Sequence, residues 1–393
     1  MFSKPIPKLI LQLFLFVLTI VTTTLSGAEW IGLPCKTLEE AFSIGLSYSV
    51  PFLLLLTVHE FGHFFTARYY NVPVSLPYFI PVYFLGFMAS IGTMGAFIRM
   101  KPAFTTTRQY FDIGIAGPLA GFITAMGFLI YGFNHLPEKE YIYKIHPEYK
   151  QFGLAYENHV YNQSFLRLSD SLHHVQINSN QAFKPAEHYE MFAIGENLLF
   201  YVFKNFVVDD ASRVPNKYEL MHYPILFAAY LALFFTSLNL IPIGQLDGGH
   251  VLYGLIGYEK HRVVSKVLLI LFVAFASLGF VNFKLNEEEV IKDILLLGFI
   301  LWTLLRPLFK DWKNVLLVSL AVLVLELSSS TFFPSIAGYS GWLFFAFILS
   351  RFLGIQHPKA SVEMPLNLSR KILGWIALMI FVLCFSPQPF IIN

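Results

Sequence analysis

Leu56-Thr57-Val58-His59-Glu60-Phe61-Gly62-His63 sets three ionisable side chains inside an apolar run that covers roughly residues 45–70. A run of that length can cross a bilayer as a helix, which takes ~20 mostly apolar residues. Ionisable groups inside such a helix are costly and mark a functional site by default. Residues i and i+4 share a helix face, so both imidazoles can bind one metal ion while Glu60 lies alongside as a general base. The competing reading is a buried His–Glu network that only joins helices. Three ionisable groups at metal-binding spacing are an expensive way to make such a joint.

The rest of the chain matches this membrane reading. Of 393 residues, 56% are hydrophobic and only 13% charged, and 42 are Phe. An average soluble domain is about 25% charged, and a soluble fold needs a polar shell that this composition lacks. A soluble enzyme is therefore excluded. Disorder and nucleic-acid binding are excluded as well, since the net charge is only +2 and no basic block stands out. Cys35 and Cys384 form no CxxC pair or disulfide framework.

Nine apolar segments have spanning character, at roughly 7–26, 45–70, 111–133, 223–243, 260–280, 290–308, 313–330, 338–354 and 370–387. The first carries Lys4 and Lys8 ahead of its apolar run, as a signal peptide does, but no clear small-residue cleavage site follows, so a retained span is expected. With the N-terminus cytoplasmic, sixteen Lys and Arg fall in inside loops, against Lys36, Lys284 and Lys292 outside. The positive-inside rule then puts the N-terminus inside and the C-terminus outside.

Two regions interrupt the pattern. Residues 71–110 hold Pro73, Pro77 and Pro81, then Gly86, Gly92 and Gly95 among aromatics. This is too broken for a helix and too apolar for a solvated loop, and irregular backbone at membrane depth must be buried or line a cavity. A re-entrant hairpin is expected. Residues 134–222 are polar, with no long periodic stretch, and read as an extracytoplasmic insertion. The expected fold is an all-α polytopic membrane protein of about nine transmembrane helices, with one hairpin and one insertion. Its parts are 1–44, a catalytic core at 45–133, the insertion 134–222, more core at 223–260, and C-terminal spans at 261–393.

Two histidines leave a zinc ion short of a third protein ligand and a water. The fourth span ends in Asn239-Leu240-Ile241-Pro242-Ile243-Gly244-Gln245-Leu246-Asp247-Gly248-Gly249, where proline and glycines break the helix around Asp247. Asp247 is the best candidate third ligand and His250 its rival, while an Asp capping the next helix is the bland alternative. In the orientation above, Asp247 and the inner end of the second span both fall in the cytoplasmic half of the bilayer.

H-E-x-x-H at 59–63 followed by N-x-x-P-x-x-x-L-D-G at 239–248, both on spans, resembles the site-2 protease family of intramembrane zinc metalloproteases. Gly114-Ile115-Ala116-Gly117-Pro118-Leu119-Ala120-Gly121 resembles the glycine-rich start of that family's third core helix, and 86–98, with Gly92 and Gly95, its re-entrant hairpin. The resemblance covers about 45–135 and 223–260. It implies one Zn2+ per chain, held by His59, His63 and Asp247, with Glu60 as base and Asn239 positioning substrate or its developing oxyanion. It also implies that the hairpin, with Gly92 and Gly95, meets an unwound substrate strand. Implied substrates are transmembrane proteins or signal-peptide remnants. The insertion shows no PDZ pattern, which resembles the branch shared by bacteria and plastids. The short N-terminus, without a transit-peptide composition, points to a bacterial inner membrane.

A metal or ion transporter would also use histidines and carboxylates at mid-membrane, but no inverted repeat is present and a transporter has no need of Glu60 between two ligands. An inactive scaffold is disfavoured by the intact ligand set. Gly117 and Gly121 read as a helix-packing G-x-x-x-G, and Asp112 as a cap or helix-dipole partner. Glu326 is a lone intramembrane charge, and Glu287-Glu288-Glu289 reads as a solvated outer loop. Seven of the twelve histidines lie in 134–222, including His173-His174. Dispersed loop histidines of this kind ordinarily bind no metal.

Overall fold

The computed structural model describes residues 8–84, 90–100, 106–177 and 189–392, with backbone alone at 172–177. Lys4, Gly86, Lys101 and the side chains of His173 and His174 lie outside the described residues. The chain is mostly helical. Three long helices come first, α1 (Lys8–Ile31), α2 (Leu38–Tyr69) and α3 (Thr107–Asn134), and short α4 (Glu157–Val160), α5 (Gln163–Ile177) and α6 (Leu198–Val202) follow. Then come α7 (Pro224–Leu240), α8 (Asp247–Ile256), α9 (Tyr258–Ser277), α10 (Glu287–Leu305), α11 (Trp312–Phe332), α12 (Gly341–Ile348) and α13 (Leu368–Cys384).

Each of the nine apolar segments is helical. By length and composition, four helices among the described residues can cross a membrane, α1, α2, α3 and α11. The expected nine is not reached by that measure because α7, α12 and α13 are short and because α9 and α10, though long enough, carry several charged residues. For example, α7 stops at 17 residues, where Pro242 lacks an N–H and Gly244 turns to φ 61. In contrast, α2 starts well before its apolar run. The Thr37 side chain accepts from the Glu40 N–H at 3.2 Å, and Glu39 and Glu40 in the first turn oppose the helix dipole. A capping box of Thr106 and Gln109 starts α3 in the same way.

The helix α7 is the axis of the fold. Phe227, Ala228, Ala229, Tyr230, Leu231 and Leu233 are at most 1% exposed, as expected of a helix that is apolar all round. Around it pack α2, α3 and α13, while α1 lies on α2 and α8 lies on α3. A second apolar cluster is built from α9 to α12, and Ile241 and Ile243 of the α7–α8 turn bury themselves in it.

Two strands before α3 pair as a β-ribbon, the expected hairpin, whose residues 85–89 lie outside the described residues. Strands β1 (Tyr78–Pro81) and β2 (Thr93–Phe97) pair antiparallel, Tyr78 with Phe97 and Phe79 with Ala96. Its backbone is held by α1, whose Gln12 amide, Thr22 hydroxyl and Trp30 indole each donate at 2.7 Å to Leu76, Gly92 and Ser90 carbonyls. The insertion has its own small core of Ile142, Tyr149, Tyr156, Val160 and Phe165. The sequence predicts no long periodic stretch there, yet α5 runs for 15 residues. Burial, and then the nearby Glu219 carboxylate, push the Tyr149 and Tyr161 phenols up, and both donate to Glu219 Oε1 (3.3 and 2.8 Å). A short strand, β3 (Phe192–Ile194), ties the insertion to β4 (Phe390–Ile392) at the far end of the chain.

Three charged positions take roles that their sequence neighbourhoods do not reveal. Asp112 is neither a cap nor a free dipole partner. It receives two parallel hydrogen bonds from Arg370 of α13, both 2.8 Å, and one from the Tyr70 hydroxyl, so it clasps α3 to α13 and to the end of α2. Glu287, Glu288 and Glu289 are exposed as expected, but they form the first turn of α10 behind the Asn286 cap instead of a loop. Glu326 is fully buried, and its carboxyl accepts from the Gly279 and Val281 N–H groups and from Ser330 Oγ, at 3.0, 3.1 and 2.8 Å. Those N–H groups belong to the turn after α9, where neither has a backbone acceptor of its own and the carboxylate takes that role.

Glu326→Leu strands the buried Val281 N–H at a cost of about 1–3 kcal/mol and takes the acceptor from the Gly279 N–H as well. Thermal unfolding of the purified variant in detergent should show a Tm lowered by several degrees, and an unchanged Tm would mean that the turn does not depend on this carboxyl.

Candidate metal centre

His59 and His63 lie one turn apart on α2, and both are buried. Their Nε2 atoms are 3.2 Å apart, and Asp247 Oδ2 lies 3.2 Å from His63 Nε2 and 3.6 Å from His59 Nε2. A tetrahedral zinc with bonds of about 2.0–2.1 Å separates its donor atoms by about 3.4 Å. The triangle of two imidazole nitrogens and one carboxylate oxygen therefore fits one face of a zinc tetrahedron. Its fourth corner is left for water or substrate, the pattern of a catalytic site. His63 Nδ1 donates to the Ile113 carbonyl of α3 at 2.7 Å, which fixes the ring and turns the Nε2 lone pair toward the triangle.

Asp247 reaches this point because the chain reverses tightly after α7. Asp247 is the first residue of α8, the cap position is Leu246, and the Asp247 side chain turns to the imidazoles rather than to a helix N–H. This departs from the capping reading, and α8 begins at the carboxylate itself. Close approach of backbone sets the turn. A Cβ on Gly248 would lie 2.0 Å from the Leu240 carbonyl oxygen, and one on Gly249 2.3 Å from that of Gly244. His250, the rival ligand, is engaged elsewhere: its Nδ1 is 2.6 Å from His357 Nε2 and its ring stacks on Tyr110.

Glu60 is buried beside the two histidines. Asn239, on the last turn of α7, points its amide at His59 Nε2 from 3.2 Å. Both line two cavities that share the His59 side of the triangle. The larger, about 360 Å³, is walled by His59, His63 and Asp247 on one side and by Ala96, Phe97 and Ile98 on the other. The smaller, about 100 Å³, lies between Leu55, Leu56, Phe235 and Gly95. Strand β2 thus forms one wall of the site, and no third strand pairs with it among the described residues. Gly95 borders the small cavity at φ 99, with open space where a Cβ would sit. Gly92 lines neither cavity. It is pressed against α1, where a Cβ would come within 2.3 Å of Thr23 Cα.

The glycines of α3 do more than let helices approach. A Cβ on Gly117 would meet His63 Nε2 at 2.1 Å, and one on Gly121 would sit 3.1 Å from His59 Nδ1. Gly114 gives the same clearance to His250, at 2.6 Å. The sequence reading has these residues as general packing; the structure shows that what they pack against is the imidazoles. Their four- and three-residue spacing on one helix face is the signal that points to this, but the partner is visible only in three dimensions.

A family model described as Peptidase family M50 matches residues 47–279, more than half of the chain, and the chain belongs to that family. Among curated proteins, it is 24% identical over 215 residues to "Probable zinc metalloprotease EGY2, chloroplastic" of Oryza sativa subsp. indica, covering 55% of this chain and 30% of the relative. It is 27% identical over 223 residues to "Probable zinc metalloprotease EGY1, chloroplastic" of Oryza sativa subsp. japonica, covering 55% and 29%. With the EGY2 protein of Arabidopsis thaliana it shares 24% identity over 61% of this chain and 34% of that one. The chain thus spans about a third of the length of the curated relatives it matches. No solved structure matches it.

Gly117→Ala should displace the His63 ring and cost at least tenfold in zinc affinity, whereas Gly127→Ala, with nothing within 4 Å on the same helix, should leave it unchanged. Zinc competition with a chromophoric chelator on the two purified variants compares them directly, and equal affinities would detach α3 from the centre.

Proposed function

We propose that this member of peptidase family M50 is a zinc metalloendopeptidase of the membrane, hydrolysing peptide bonds within or near transmembrane segments of its substrates. The observation that carries the reading is the triangle of His59 Nε2, His63 Nε2 and Asp247 Oδ2, with edges of 3.2 to 3.6 Å, set in an apolar helix with Glu60 beside it. When bound, zinc supplies Lewis acidity toward a carbonyl oxygen and acidifies a water. Glu60 takes a proton from the attacking water and passes it to the departing amide nitrogen. Asn239, its amide already at the triangle, hydrogen-bonds the developing oxyanion or holds the substrate backbone.

A substrate helix hides its carbonyls and must unwind before it can be cut. The outer edge of β2, facing the triangle across the larger cavity, suits pairing with such an extended segment by strand addition. Gly95 leaves that edge uncrowded at the small cavity. Gly92, by its contact with α1, acts on the substrate only through the placement of the hairpin. The substrate class is a single-span protein or signal-peptide remnant, and the insertion 134–222 restricts access by bulky outer domains. The count of nine spans and the hairpin's re-entry into the bilayer are part of the same proposal. The Lys/Arg distribution supports a cytoplasmic N-terminus and an active site in the cytoplasmic half of the bilayer.

Wild type and Glu60→Gln, expressed equally in a host lacking the gene, separate this reading from metal transport. Glu60→Gln should keep its zinc and slow cleavage by about 10²–10⁴-fold. Membrane-protein precursors should accumulate with the variant, and with wild type new termini should lie within their spans. Identical fragment profiles from two zinc-loaded proteins would overturn the protease reading and favour the transporter.

A further inference from the structure

A second cluster of metal-ligand side chains lies on the insertion, with no part in the chemistry above. His146, between two short 3-10 turns, brings its Nε2 to 3.4 Å from His222 Nε2. Glu219 Oε2 is 3.2 Å from His222 Nε2 and 3.6 Å from His146 Nε2. These edges match those of the His59–His63–Asp247 triangle, and they fit one face of a tetrahedral ion with bonds of about 2.0–2.1 Å.

The surroundings orient all three groups. His222 Nδ1 donates to the carbonyls of Trp30 and Ile31 at 3.0 and 2.9 Å, using the free acceptors at the end of α1. His146 Nδ1 faces Glu148 Oε1 at 3.3 Å. In each ring the engaged Nδ1 leaves the Nε2 lone pair directed into the triangle, the arrangement that outer partners impose on metal-binding histidines. Glu219 Oε1 takes hydrogen bonds from Tyr161 and Tyr149, whereas Oε2 is buried and has no hydrogen-bond partner. The Glu219 side chain is only 3% exposed. A buried carboxylate oxygen without a donor is rare and calls for an explanation. A cation shared with the two Nε2 atoms provides one.

We propose that His146, Glu219 and His222 bind a second divalent transition-metal ion, zinc in the first instance, which clamps the insertion to the membrane core. Two imidazoles and a carboxylate are a donor set for zinc rather than for calcium or magnesium, which take oxygen ligands. His146 comes from the first part of the insertion, Glu219 and His222 from its end just before α7, and His222 is seated on the end of α1. The ion would therefore join three stretches of chain on one face of the protein. The open fourth corner lies on the side of His146, the most exposed of the three at 31%, so water completes the set. This site does not depend on the proteolytic reading, and the protein would carry two zinc ions instead of the single one implied by family resemblance.

The test is zinc stoichiometry by mass spectrometry on full-length protein, purified in detergent without a polyhistidine tag and equilibrated with buffered zinc. Wild type should hold two zinc ions per chain. His146→Ala and Glu219→Gln should each hold one, and the retained ion reports that the core is folded. His63→Ala should also hold one, and in that background added zinc should slow proteolysis of the 134–222 region while His146→Ala abolishes the protection. One zinc in wild type, lost in His63→Ala and untouched by His146→Ala, would overturn the proposal.

Discussion

The proposed metal centre requires three donor atoms on two helices to converge to within 3.2–3.6 Å inside a largely apolar helical core. Everything around the centre is arranged to meet that requirement. Ionisable groups removed from water are tolerated only when each finds a partner. Helical spacing brings His59 and His63 together on α2, and the Ile113 carbonyl fixes the second ring. Glycines at 117 and 121 clear the space the rings occupy, and the close-packed Gly248-Gly249 return carries Asp247 in from the other side. Failure of any one of these would leave a buried charge unmatched, so the centre and the fold of the core are a single construction.

That construction explains the architecture. The buried α7 is a spindle whose last turn delivers Asn239 and whose break delivers Asp247. Because α3 must lie close to α2, it is fastened at its start by the Asp112–Arg370 clasp and by Tyr70. The hairpin fills the remaining side, held by side chains of α1 and leaving β2 along the cavity. The second cluster of helices buries the α7–α8 turn through Ile241 and Ile243, so it steadies the loop that positions the carboxylate.

Local order was legible in the sequence wherever it alone set the structure. The i, i+4 histidines, the helix break at Pro242 and Gly244, and the helical character of all nine apolar segments follow from neighbours in the chain. What escaped was tertiary. Gly117 reads as packing because nothing near it in sequence names His63 as the thing packed against. Asp112 reads as a cap because Arg370 is 258 residues away. Glu326 reads as a stray charge because the amides it serves belong to another helix end. The insertion cluster shows both sides of this: Glu219-x-x-His222 has the three-residue spacing that aligns side chains on a 3-10 turn, while His146, 76 residues from His222, carries no such sign.

Zinc K-edge X-ray absorption on the purified His146→Ala protein, in which the core centre supplies the signal, tests the central claim most directly. The account requires a shell of two imidazole nitrogens and oxygens at about 2.0–2.1 Å, with the bound zinc and its signal lost when His63→Ala is added to the same protein. A shell of sulfur or of oxygen alone, or a folded protein that takes up no zinc, would contradict it.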